Sequence, residues 1–123
     1  MASNRSLNLM ENAAYTGVQS TVVVTNLNNP SLHVILNIST LSASQFLTLS
    51  MIGVAEDDSE YTMFTSLPMN KEVPYRTVVA PWAHNIAGII CNDFVPLRFY
   101  FKITPTLPAQ EDTYALNVQL GLA

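Results

Sequence analysis

Leu97-Arg98-Phe99-Tyr100-Phe101-Lys102-Ile103 and Thr113-Tyr114-Ala115-Leu116-Asn117-Val118-Gln119-Leu120-Gly121-Leu122 decide the fold of this chain. In the first stretch Leu97, Phe99, Phe101 and Ile103 share one parity and Arg98, Tyr100 and Lys102 the other, as a strand with one dry face requires. In the second, Tyr114, Leu116, Val118, Leu120 and Leu122 alternate with Ala115, Asn117, Gln119 and Gly121. Both apolar rows therefore look toward one core. The connection from Thr104 to Asp112 holds Pro105 and Pro108, which donate no ladder hydrogen bond, and ends in polar residues suited to water. The two stretches are expected to pair as a long-looped antiparallel hairpin.

Upstream, the same period recurs in shorter pieces. Thr21-Val22-Val23-Val24-Thr25 is a β-branched run closed by Asn26-Leu27-Asn28-Asn29-Pro30, where Asn and Pro mark a turn. Leu32, Val34, Leu36 and Ile38 alternate with His33, Ile35, Asn37 and Ser39, giving a strand with its even positions inward. Phe46 to Val54 follows with Leu47, Leu49 and Met51 inward. The acidic segment Glu56-Asp57-Asp58-Ser59-Glu60 then turns the chain into Tyr61 to Thr65, as a meander. Leu67 to Pro74 bends the chain and Tyr75 to Ala80 extends it. Ile86 to Cys91 is too short for periodicity to choose between a strand and a helical turn.

No heptad, repeat or helical period of useful length interrupts this pattern. Short strands at roughly ten-residue spacing predict an all-β antiparallel β-sandwich of about seven or eight strands, either jelly-roll or immunoglobulin-like. Residues 1 to 20 are rich in Asn and Ser, with scattered Leu9, Met10, Tyr15 and Val18 and no clear period. They are expected to form an extended N-terminal arm ordered by contact with something else, ahead of a sandwich domain spanning residues 21 to 123.

Composition narrows the function. Of 123 residues 49% are hydrophobic and only 11% charged, against about 25% charged in an ordinary soluble domain. A surface this neutral is commonly covered by a partner, which points to an oligomer or an assembly component. Five basic and nine acidic side chains give a net charge of −4 with no run of Lys or Arg, so nucleic acid is not an expected partner. The single Cys91 forms no internal disulfide and no cysteine-built zinc site, which suits a reducing cytoplasm. Residues 1 to 10 lack the apolar core of a secretion signal, and no segment approaches the ~20 apolar residues of a membrane-spanning helix.

Candidate chemistry is sparse. Glu56 to Glu60 is the densest group of oxygen ligands, but it lacks the Asp-x-Asp-x-Asp-Gly order of a calcium loop, and acidic residues at a hairpin tip ordinarily keep it solvated. His33 and His84 lie near no nucleophile signature, and Cys91 has no activating neighbour. No nucleophile, base and orienter occur together, and none of the four glycines builds a phosphate-cradling loop. The reading is therefore a non-enzyme with no catalytic, metal or cofactor residues and no small-molecule substrate. Trp82, Tyr75, Tyr61 and Tyr100 could line a sugar-binding surface, though buried protein interfaces favour the same residues.

Three segments, taken in order, resemble small β-sandwich head decoration (cement) proteins of tailed bacteriophages. They are Phe46-Leu47-Thr48-Leu49-Ser50-Met51-Ile52-Gly53 with its acidic turn and Tyr61-Thr62; Asn92-Asp93-Phe94-Val95-Pro96-Leu97-Arg98-Phe99-Tyr100-Phe101; and Thr113-Tyr114-Ala115-Leu116-Asn117-Val118-Gln119-Leu120. The second is similar to the family's Leu-Pro-x-x-Arg strand start, with Val95 before the proline and Arg98 two residues after it. The resemblance implies a virion structural protein on the outer capsid surface, assembled in the host cytoplasm, that sits as a homotrimer and bridges neighbouring copies of the major capsid protein. It also implies that the arm, residues 1 to 20, crosses onto a neighbour. The alternative is a receptor- or glycan-binding β-sandwich module of a phage tail or fibre.

Overall fold

In the computed structural model the described residues are 5–42, 45–70, 74–81, 89–91, 94–106 and 114–122. Strands β1 (Arg5–Tyr15), β2 (Gln19–Ser20), β3 (Val24–Thr25), β4 (Leu32–Thr40), β5 (Leu47–Val54), β6 (Glu60–Thr65), β7 (Pro74–Val79), β8 (Ile89–Cys91), β9 (Arg98–Pro105) and β10 (Tyr114–Leu122) form two sheets. One runs β1-β10-β4-β7-β8 and the other β2-β9-β5-β6, with β3 also paired to β9. Every pairing is antiparallel except β7 with β8, which is parallel.

The rows on β9 and β10 are buried as their period dictates: Phe99, Phe101, Ile103, Tyr114, Leu116, Val118, Leu120 and Leu122 are all 1% exposed or less. The strands do not pair as the expected hairpin, however. β9 lies between β3 and β5 in one sheet, β10 between β1 and β4 in the other. Parity requires only that both rows reach the same core, and two strands meet that condition face to face as well as side by side. Sheets pack about 10 Å apart, a gap that the eight residues between β9 and β10 are long enough to span at about 3.3 Å per residue. Facing each other, the two strands each gain ladder partners on both sides. Residues 107–113 of the connection lie outside the described residues.

This crossing fixes the topology. The first strand pairs with the last, and β1-β10-β4-β7 faces β2-β9-β5-β6, the order of an eight-stranded jelly roll. In an immunoglobulin-like sandwich the first two strands are sheet neighbours; here β1 and β2 lie in opposite sheets. The core lies between the sheets. Leu32, Val34, Leu36 and Ile38 of β4 and Leu47, Leu49 and Met51 of β5 fill it, on the faces their alternation predicts. Phe99 and Phe101 meet edge to face there, with ring centroids 5.8 Å apart.

The stretch expected as an arm differs most. Residues 5–15 are β1, hydrogen-bonded along β10, with Met10 buried and Leu7, Leu9 and Tyr15 packed against the core. Register shifts between Asn8 and Met10 and between Met10 and Ala13 explain why no period of two is visible, since each extra residue reverses the inward parity. The chain then turns at Gly17, whose φ of 68° is in the left-handed region. There it passes from one sheet to the other. Tyr114 locks this corner: its hydroxyl donates to the Gly17 carbonyl at 2.6 Å and its ring lies against Tyr15. Burial, and behind it the neighbouring Tyr15, pushes the Tyr114 hydroxyl up to about 12. Residues 1–4 lie outside the described residues.

Candidate interaction surface

The β-branched run at 21–25 does not form one strand. Thr21 takes both ladder positions opposite Phe101: its N–H donates to the Phe101 carbonyl at 2.9 Å, and its hydroxyl accepts from the Phe101 N–H at 3.0 Å. With a side chain standing in for backbone, the next two residues leave the ladder. Val22 is 71% exposed and Val23 52%, and only Val24 turns back into the core.

A second local device follows at once. The Asn26 side chain accepts from the Asn29 N–H at 2.9 Å and donates to the Asn29 carbonyl at 3.0 Å, with Asn28 between them at φ 62°. Asn is the residue type that closes such a turn and tolerates positive φ. The Asn26 N–H also donates to the Leu97 carbonyl, and its side chain to the Val95 carbonyl at 3.4 Å. These bonds hold the backbone around Leu27 (57% exposed) against that of Leu97 (60%) and the segment carrying Phe94 (74%), one turn along the same sheet edge from the exposed Val22 and Val23. Leu97, expected inward, points out because its carbonyl is bound to Asn26 before the β9 ladder begins at Arg98. This exposed edge was not foreseen from sequence; the only signal available was an Asn-x-Asn-Asn turn flanked by apolar residues with no charge among them.

The acidic tip is spent on its own turn. The Asp57 carboxylate accepts from the Ser59 hydroxyl at 2.6 Å and from the Ser59 N–H at 3.0 Å, which holds the Asp57 carboxyl below its usual range. Asp58, at φ 67°, is bridged by Arg98 at 3.0 Å, and the same guanidinium donates to the Ala55 carbonyl. The Tyr100 hydroxyl donates to Glu60 at 2.8 Å, so its own proton is held more tightly than usual. Arg98 and Tyr100 thus brace the hairpin rather than face a ligand. Among the described residues no three His, Cys, Asp or Glu side chains are grouped to hold a metal ion.

The other candidates are scattered. His33 stands on the outer face of β4 and accepts from Arg76 Nε at 2.9 Å. Tyr75 packs against the core, the Tyr61 ring lies over Gly53, where a Cβ would overlap it, and Tyr100 stands on the outer face of β9. The three tyrosines form no common platform. Trp82 and His84 lie outside the described residues, and Cys91 contributes backbone to β8. No family model, curated protein or solved structure matches this chain.

Proposed function

We propose that this chain is a virion structural protein, a decoration protein that binds the outer surface of a tailed-phage head as a trimer and bridges neighbouring capsid subunits. The observation that carries the reading is the exposure of Val22, Val23, Leu27, Phe94 and Leu97 along the segments that meet at β3 and the start of β9, on a chain in which only 11% of residues are charged. Contiguous apolar patches are uncommon on solitary soluble proteins, and interface cores are depleted in charge. Jelly rolls serve in viral capsids, lectins and cupins, so the choice among these rests on the surface and not on the architecture. A sugar platform needs aromatic faces side by side, an arrangement that Tyr61, Tyr75 and Tyr100 do not make.

A protein that grips the junctions of an expanded shell stabilises that shell by mass action. Three copies joined rigidly make the second and third contacts at high effective concentration, so no single footprint has to be strong. Light scattering on the purified chain is expected to give about three times 13.5 kDa at micromolar concentration. Imaging is expected to find it on the outer head, and particles lacking it are expected to break on heating while still adsorbing to cells. A monomer in solution, or intact heads with adsorption lost, overturns the proposal in favour of a receptor-binding module.

A further inference from the structure

We infer that the outer face of the β10-β4-β7 sheet carries an acid-sensitive latch, in which neutral His33 holds Arg76 and protonated His33 repels it. The direction of one hydrogen bond carries the argument. Arginine has donors and no acceptor, so the Arg76 Nε–H that reaches His33 Nε2 at 2.9 Å requires a lone pair on that nitrogen. His33 is therefore the neutral tautomer with its proton on Nδ1. Protonation makes both ring nitrogens donors, removes the bond and leaves two cations in contact on adjacent strands.

Among the described residues no acidic side chain is set beside the pair to offset the second charge. Across the sheet β7 sets Val78 opposite His33 and Arg76 opposite Ile35, while β10 sets Gly121 opposite His33 and Gln119 opposite Ile35. Beyond β10, β1 brings Ser6 and Asn8; beyond β7, β8 pairs at Ile90. None of these is acidic. The carboxylates of residues 56–60 belong to the β5–β6 hairpin in the opposite sheet, and Glu11 lies in the irregular stretch of β1 opposite the far half of β10.

Burial first, and the Arg76 charge second, lower the proton affinity of His33. The unfolded chain takes up this proton near the ordinary 6.5 while the folded chain resists it, so the latch contributes fully above that pH. Its contribution falls as pH drops through 6.5 and levels off below the folded value. β7 joins the sheet through β4 and in turn carries β8, so acidification loosens the β7–β8 side of the molecule.

An imidazole NMR titration tests this, with His84→Gln used to assign the two histidines. His33 is expected to titrate below 6.5 and to move toward 6.5 in Arg76→Gln. The protection factors of the β7 amides, which correct for the slower base-catalysed exchange at low pH, are expected to fall several-fold from pH 8 to pH 5 in the natural chain but not in His33→Gln, whose side-chain oxygen accepts from Arg76 at either pH. A His33 that titrates at or above 6.5 overturns the latch. Equal acid sensitivity of β7 in the two chains overturns it as well, and the His33 titration itself requires no substitution at the latch.

Discussion

Phe99→Ala and Leu97→Ala, two residues apart on what alternation alone makes a single inward row, are expected to differ in stability by several kcal/mol. Phe99 is fully buried and stands edge to face against Phe101. Truncating a side chain in that position removes its transfer energy and leaves a cavity between the sheets, a loss of about 3 to 5 kcal/mol. At about 2.1 cal/mol/K per residue, a chain of this length unfolds with an entropy of about 0.26 kcal/mol/K, so a loss of about 4 kcal/mol lowers Tm by about 15 °C. Leu97 gives up an exposed side chain while its carbonyl keeps the Asn26 bond, so its truncation is expected to stay within about 0.5 kcal/mol and about 2 °C. Calorimetry at pH 7.5, with urea unfolding to supply free energies at one temperature, measures both. Equal losses at the two positions would show that β9 begins before Arg98 and that the exposed edge does not exist.

Three further outcomes follow from the same geometry. Tyr114→Phe is expected to lose about 1 kcal/mol with its hydrogen bond to Gly17. It is also expected to abolish part of the alkaline instability of the natural chain, whose Tyr114 favours the neutral form up to about 12, so that stability falls as pH rises past 10; urea midpoints between pH 9 and 11 report this. Leu27→Ser combined with Leu97→Ser is expected to leave Tm within a few degrees yet to shift the light-scattering mass toward the monomer, and an unchanged mass places the oligomer contact elsewhere. Arg98→Met is expected to cost no more than about 1 kcal/mol, because Asp58 across from it is largely exposed, while amide exchange in the 55–59 turn accelerates.

What could be read from the residues was the inside and outside of each strand. Leu32 to Ile38, Leu47 to Met51, Phe99 to Ile103 and Tyr114 to Leu122 face the core on the parity their alternation predicts, because period two is a property of a single strand. Which strands pair is a property of distant ones, and so the relation of β9 to β10 was legible only as a shared core. β1 was hidden by its own irregularities: two extra residues scramble the parity of Leu7, Leu9 and Met10. The exposed edge was hidden for a different reason. Val22, Val23 and Leu97 have the composition of strand interior, and they are turned outward by hydrogen bonds from Thr21 and Asn26, polar residues that propensity reads only as flanks.

The excursion at Val22 and Val23 also governs how this molecule meets its neighbours. It chops that margin of the sheet into two-residue pieces, β2 and β3, and Arg5 reaches from the other sheet to occupy the Thr25 carbonyl. The opposite layer ends in β1, whose two irregularities bend it away from a straight template. Neither border offers the long run of open amides on which a foreign strand could be added. At these two borders copies of this chain are thereby steered away from strand addition, and contacts made there must be made of side chains.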